Sequence, residues 1–225
     1  VVDGAIIIGG EKIVLPGVRV HTWHDHGMSF EIAQAPRREE AIRWCVLHWT
    51  ASEREGEAGA SQIHRTLVSR GLSVEFAITN EGAIWQFVVP AERRCRHCSR
   101  VNPFSVGVEV SGVGWARPGR PSLGATTRRR RYTATVHGWR TTWLDYLPEQ
   151  HWAVAGLADA LLEALPELGR RVELEPFERR SDAHLARQSG FCGHLHAAWL
   201  SKAHPKCDPG PAPLIQLDAY LAAEL

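Results

Sequence analysis

Arg43-Trp44-Cys45-Val46-Leu47-His48-Trp49-Thr50 decides how the rest of the chain is read. The apolar run is too short for a helix and is bounded by polar residues, so it reads as a buried strand. His48 falls near its end, where a side chain can face a cleft at the sheet edge. Ser105–Ser111 (SVGVEVS) alternates apolar and polar positions and reads as a second strand. Between them, Ala60–Ser69 reads as a helix closed by Gly71. Val74–Thr79 and Ile84–Val89 flank Asn80-Glu81-Gly82-Ala83 as a hairpin. Upstream, Ala5–Ile8 and Lys12–Leu15 are joined by Gly9-Gly10, a hairpin signal, and Val18–Trp23 would continue that sheet. Downstream, Pro148–Leu165 is the clearest helix, with Pro148 at its start and Val154, Leu157, Leu161 and Leu165 on one face. Arg171–Leu174 and Phe191–His194 read as short strand pieces and Pro213–Leu221 as a C-terminal helix. This mixture predicts an α/β fold, a mixed central β-sheet flanked by helices, with an N-terminal β-hairpin extension. Residues 1–40 form that extension, packed on a main domain of residues 41–225.

With 225 residues, 44% hydrophobic and 23% charged, the composition excludes a wholly disordered chain. The net charge of +1 argues against a surface built for nucleic acid. That charge is unevenly spread. Residues 112–145 hold seven Arg, including Arg128 to Arg131, and one Asp, so +6 sits there and −5 elsewhere. The segment reads as a long loop, and three roles fit it: a solvated loop, a cationic patch in 117–131 drawn to an anionic cell envelope, or, less favoured, a nucleic-acid contact. No stretch approaches the roughly 20 apolar residues of a membrane span. No signal peptide is visible at Val1-Val2-Asp3-Gly4, so the chain is expected to be made in the cytoplasm and to act as a monomer. The five Cys include one C-x-x-C, Cys95 to Cys98, without the second pair a zinc knuckle needs. They read as free thiols or one disulfide.

Three positions carry chemistry. His48 ends a strand, His194 follows Gly193, and Asp208 lies in Lys206-Cys207-Asp208-Pro209-Gly210-Pro211, a tight turn. Two imidazoles and one carboxylate make a three-ligand zinc site with an open fourth position. Glu109, in the SVGVEVS strand, is a carboxylate without an adjacent basic partner, costly to bury unless paired or functional. Each residue also has a plain structural reading: a hydrogen-bonded strand-end His, a turn, an outward-facing Glu. The tract His21-Thr22-Trp23-His24-Asp25-His26 looks like a metal site, but its surroundings supply no matching ligands, which favours solvated or loop-packing imidazoles.

Taken in order, these pieces resemble the zinc-dependent N-acetylmuramoyl-L-alanine amidases, the family that includes peptidoglycan recognition proteins and amidase-type phage lysozymes. Val46-Leu47-His48-Trp49-Thr50-Ala51 matches its opening strand, and Glu81-Gly82-Ala83-Ile84-Trp85-Gln86 its hairpin. The segment from His97 to Glu109, through Asn102 and Ser105, matches a third motif. Gly193-His194 and Lys206 to Pro211 close the pattern, which runs from about residue 42 to the C-terminus. The resemblance implies one catalytic Zn2+ held by His48, His194 and Asp208. Glu109 would be the base and Lys206 the oxyanion partner, with His97, Asn102, Trp49 and Thr50 as substrate contacts. It also implies peptidoglycan as the partner, and cleavage between N-acetylmuramic acid and L-alanine by a phage endolysin or a bacterial wall enzyme acting after release. A non-catalytic peptidoglycan-binding module is the alternative, but such modules typically lose a zinc ligand. The sequence departs from the family in the 14-residue step from His194 to Asp208, which leaves His196 as a rival ligand. Cys207 is another, because some phage members of the family use Cys as the third ligand, and the Lys-x-ligand spacing from Lys206 selects Asp208. It departs again at Arg96 and Cys98, where the family carries other residues.

Overall fold

The apolar run at residue 44 and the alternating run at residue 105 lie side by side in a computed structural model. The model describes residues 3–31, 34–36, 41–50, 52–114, 128–197, 199–201 and 204–223. The chain starts with β1 (Gly4–Ile8), β2 (Glu11–Leu15), β3 (Val20–Thr22), α1 (Trp23–His26) and β4 (Gln34–Pro36). Next come β5 (Trp44–Trp49), α2 (Gly56–Ser69), β6 (Phe76–Ile78), β7 (Ile84–Gln86) and β8 (Arg93–Arg94). A 3-10 turn (Ser99–Phe104) leads into β9 (Ser105–Val110). The second half holds β10 (Arg131–Val136), β11 (Trp139–Leu144), α3 (Pro148–Ala164), α4 (Asp182–Arg187) and β12 (Gly190–Gly193). It ends in α5 (His194–Ala197), β13 (Trp199–Ser201), β14 (His204–Pro205) and α6 (Pro211–Ala223).

The central sheet has the order β12-β5-β9-β6-β7-β3. Every neighbouring pair is parallel except β6 with β7. β5 and β9 have strands on both sides and layers on both faces, which is why β5 reads as an unbroken apolar run. Side chains alternate between the faces. Cys45, Leu47, Val106, Val108 and Ile84 point into one core with Val154, Leu157 and Leu161 of α3 and Leu214, Leu217 and Leu221 of α6. Burying the three α3 residues contributes on the order of 6 kcal/mol. On the other face Ala77 and Trp85 pack under Ala60, Ile63 and Leu67 of α2, and Trp44 and Val46 pack against Val101 and Leu185. The mixed sheet between helical layers is the expected architecture.

The N-terminal hairpin forms as read, with Gly9 and Gly10 at φ 59° and 84°. Ile6, Ile8, Leu15 and Val18 join the main core. Gln86 clamps this hairpin: its side-chain amide accepts from the Ile7 N–H at 2.8 Å and donates to the Ile7 carbonyl at 2.6 Å. Val18–Trp23 does not continue the hairpin's sheet. The Pro16-Gly17 turn redirects the chain, Val20–Thr22 pairs parallel with β7 at the edge of the central sheet, and Trp23 opens α1. Arg171–Leu174 is likewise no strand; Val172 makes only an isolated bridge to Phe191.

The main correction concerns residues 112–145, read as one long loop. Its second half is the β10–β11 hairpin, turned by His137 and Gly138 at φ 51° and 75°. Such left-handed pairs suit two-residue hairpin turns. The signal was present as β-prone Tyr, Thr, Val and Trp residues on either side of His-Gly, overshadowed by the Arg run. Residues 115–127 lie outside the described residues.

Three of the four arginines at 128–131 have acidic partners: Arg128 with Glu149, Arg129 with Glu53 and Arg130 with Asp145. Arg129 is buried. It donates to Asn80 Oδ1 and to the carbonyl of Ser111, just beyond β6 and β9, and also to Gln150 Oε1 and the carbonyl of Asp145. A guanidinium with its donors matched in this way is an internal tie rather than a surface charge.

Candidate metal centre

Strand register assembles the site. His48 pairs with Glu109 across β5 and β9, so both point from the sheet face that carries α2. β12 pairs Gly193 with Leu47, which delivers His194, the first residue of α5, beside His48. The turn at Asp208 is tied in through its carbonyl, which accepts the N–H of Leu195 at 2.9 Å. On the opposite face, the hydroxyl of Tyr146 donates to the carbonyl of His48 at 3.1 Å and pins the strand end.

Three ligand atoms converge. His48 Nδ1 lies 2.9 Å from His194 Nδ1, His194 Nδ1 lies 3.0 Å from Asp208 Oδ2, and His48 Nδ1 lies 3.5 Å from Asp208 Oδ2. All three residues are buried. A tetrahedral zinc site with bonds of about 2.0–2.1 Å has ligand–ligand edges of about 3.3 Å, so the triangle fits one face of such a site. The protonation states fit as well. Burial, with His194 nearby, pushes His48 down to about 4, leaving a neutral imidazole. Burial opposes ionisation of Asp208, but the adjacent His194 imidazole, with a smaller part from His48, outweighs it and holds the carboxyl well below its usual range. Neutral imidazole and ionised carboxylate are the forms that bind metal.

Glu109 lies beside this triangle. The residue is partly exposed, yet its Oε2 is buried and has no hydrogen-bond partner among the described residues. Burial, reinforced by the charge of Asp208 and opposed by Lys206 and Arg70, raises its carboxyl to about 8. Lys206 is half-buried, and its carbonyl is held by Nε2 of His137 at the tip of the β10–β11 hairpin, at 2.8 Å.

The rival ligands lie elsewhere. His196 is fully buried, its Nδ1 accepts the N–H of Gly193 at 3.3 Å, and its ring stacks on Phe177. Burial, with Arg180 adding to it, pushes it to about 3. Burial raises Cys207 to about 11, and its thiol is not among the converging atoms. The five cysteines are buried, and none is in a disulfide. In the N-terminal tract, Asp25 accepts from the backbone and hydroxyl of Thr22, and His21 stacks on Trp85 at 4.2 Å.

The four expected substrate contacts are placed unevenly. His97 is buried, with Nδ1 3.0 Å from His48 Nε2 and Nε2 3.1 Å from Ser105 Oγ. Asn102 Oδ1 accepts from the backbone N–H groups of His97 and Cys98. Thr50 accepts the N–H of Ser52 in a local turn. Trp49, one residue after His48, turns to the opposite face and tilts against Trp143. Ser105 and Tyr146 were missed in the sequence. Ser105 stood in a matched motif but was read only as the start of a strand. Nothing around Tyr146 marks it, because its contact is set by tertiary packing.

Residues 38–211 match the model of the N-acetylmuramoyl-L-alanine amidase family, and the chain belongs to that family. Among solved structures it is similar to the endolysin N-acetylmuramoyl-L-alanine amidase LysCS from Clostridium intestinale. That match has 14% identity and a TM-score of 0.50, and covers 92% of this chain and 97% of that one. The Ph2119 endolysin of a Thermus scotoductus bacteriophage matches at 12% identity and TM-score 0.53, covering 90% and 98%. Human PGRP-IBETAC, solved in complex with glycosamyl muramyl pentapeptide, matches at 12% identity and TM-score 0.52, covering 89% and 93%. No curated protein sequence matches the chain. No described helix is long and apolar enough to cross a membrane.

Proposed function

We propose that this protein is a zinc-dependent N-acetylmuramoyl-L-alanine amidase that cuts the lactyl amide between N-acetylmuramic acid and L-alanine in peptidoglycan, as a phage endolysin or a bacterial wall enzyme. The observation that carries the reading is the convergence of His48 Nδ1, His194 Nδ1 and Asp208 Oδ2 beside the unpaired carboxylate of Glu109. Zinc held there would supply Lewis acidity to the amide carbonyl and to water. Glu109 serves as the base that takes the proton of the attacking water and returns it to the departing amide nitrogen, and its raised pKa favours holding that proton between the two transfers. To Lys206 we assign stabilisation of the oxygen that becomes negative, a contribution of roughly 3 kcal/mol in comparable sites. Attraction to an anionic envelope rests on Arg117, Arg120 and exposed Arg131, since Arg128, Arg129 and Arg130 have internal partners.

The test combines metal analysis with mass analysis of purified peptidoglycan after digestion. Free stem peptides, lost with a chelator and restored by zinc, are the expected result. Release that persists without metal would remove the mechanism. Tight binding to the wall with no peptide released would mark a recognition module instead.

A further inference from the structure

His97 bridges His48, across the sheet face, and Ser105, at the start of β9. We infer that His97 and Ser105 form a hydrogen-bond relay that holds His48 in the tautomer carrying its proton on Nε2, so that Nδ1 is kept as a bare lone pair for the metal. The inference rests on the zinc reading above and assigns His97 a positioning role rather than a substrate contact.

Counting hydrogens gives the direction. The Ser105 hydroxyl has one hydrogen, and the carbonyl of Val101, 2.7 Å away, can only accept, so the hydrogen lies there. Ser105 Oγ is then an acceptor towards His97, whose Nε2 must donate. Suppose His97 Nδ1 also carried a hydrogen. His48 Nε2 would have to accept it, and the hydrogen of His48 would sit on Nδ1, aimed at His194 and Asp208 where the metal belongs. Metal binding through His48 Nδ1 therefore requires His97 Nδ1 to accept and His48 Nε2 to donate. A ligand imidazole whose second nitrogen donates to a fixed acceptor is a recurring feature of metal sites.

Two further observations show that the relay is built rather than incidental. Asn102 Oδ1 accepts the backbone N–H of His97 at 3.1 Å and of Cys98 at 2.7 Å, which fixes the loop carrying the ring. Gly107 lets the ring lie against the strand: a Cβ there would stand 2.6 Å from His97 Cγ and 2.8 Å from its Nδ1. Register puts Ser105, Gly107 and Glu109 opposite Trp44, Val46 and His48, so the ring runs along one face from the start of β9 towards the metal triangle.

The experiment measures zinc affinity by competition with a chromophoric chelator and, in protein labelled at its histidine ring nitrogens, the tautomer of His48. Ser105→Ala should weaken zinc about 10-fold and His97→Phe about 10- to 100-fold, with Ser105→Thr within about twofold of wild type. Zinc-free wild type should show His48 as the Nε2–H form alone, and Ser105→Ala a mixture of tautomers. Unchanged affinity and tautomer in Ser105→Ala would overturn the relay, as would a loss in Ser105→Thr equal to that of Ser105→Ala. A wild-type protein that fails to bind zinc would overturn the amidase reading and the relay together, whereas the other failures overturn the relay alone.

Discussion

Replacing Glu109 with Gln should stabilise the metal-free protein at alkaline pH while removing its activity. The carboxyl is raised from 4.5 to about 8, first by burial and then by Asp208. Because the folded-state pKa lies above the unfolded one, the folded protein holds an extra proton between these values. Stability therefore falls as pH rises through that window, and the full penalty applies above about 8. At about 1.4 kcal/mol per pH unit the penalty is on the order of 5 kcal/mol. The residue is partly exposed, and screening by solvent brings this to about 3 kcal/mol. Glutamine keeps the shape and removes the charge, but its amide inherits the unpartnered position of Oε2, at a cost of about 1–2 kcal/mol. The net expectation at pH 9 is a gain of about 1–2 kcal/mol, shrinking to a loss at pH 5, where wild-type Glu109 is already protonated in the fold. Urea unfolding of chelator-treated wild type and Glu109→Gln from pH 5 to pH 9 reads this directly. Parallel stability curves would show that Glu109 is not held away from solvent, and the argument for its altered basicity would fail with them. In the zinc-loaded protein the same variant should lose about 100- to 10,000-fold in turnover, as expected for a missing general base.

Other outcomes follow from the same geometry. His194→Ala should abolish stoichiometric zinc, whereas His196→Ala should leave it intact, because only His194 contributes to the converging atoms; metal analysis of both variants decides. Arg129→Ala removes a buried cation from Glu53 and from the carbonyl of Ser111, and should cost about 3–5 kcal/mol in chemical unfolding. A cost within experimental error would show that the buried network reorganises freely. Gln86→Leu should release the N-terminal hairpin by deleting both bonds to Ile7, at about 1–3 kcal/mol, and should be seen as new proteolytic cleavage within residues 9–17.

Where the sequence was informative, each residue had a single structural explanation. The run at Trp44 could only be a strand buried on both faces, and Pro148 with its regularly spaced Leu and Val residues could only open a helix packed on one side. The group of His48, His194 and Asp208 was legible through the order of the matched motifs, because singly a strand-end His, a Gly-His step and an Asp-Pro-Gly turn each have a plain structural reading. The choice of His194 over His196 was not legible. Both nitrogen-bearing rings lie in α5, and only the contacts of Gly193 and Phe177 with His196 separate them. The β10–β11 hairpin was lost because composition was read before alternation, and four successive arginines suggested solvent. Their partners lie outside the run, Glu53 far upstream and Asp145 and Glu149 just beyond the β10–β11 hairpin, so the pairing could not be seen from the run itself.

The two faces of the sheet show why reactive groups are tolerated here. On the α3 and α6 side, strands β5 and β9 present only apolar side chains, which anchor the sheet whatever happens opposite. On the other side, the same strands carry His48 and Glu109 towards their carboxyl ends, where parallel strands commonly open onto a site, with Ser105 on the same face at the start of β9. The dry setting that raises Glu109 also keeps His48 neutral and strengthens the bond between His48 Nε2 and His97 Nδ1. Exposing the site to water would relieve Glu109 but weaken the proton order that keeps Nδ1 of His48 bare. A variant that opens this face without altering His48, His97, Ser105 or Glu109, Val46→Ala, should therefore lower the Glu109 pKa and loosen zinc binding together. Movement of one without the other would show that burial does not couple them.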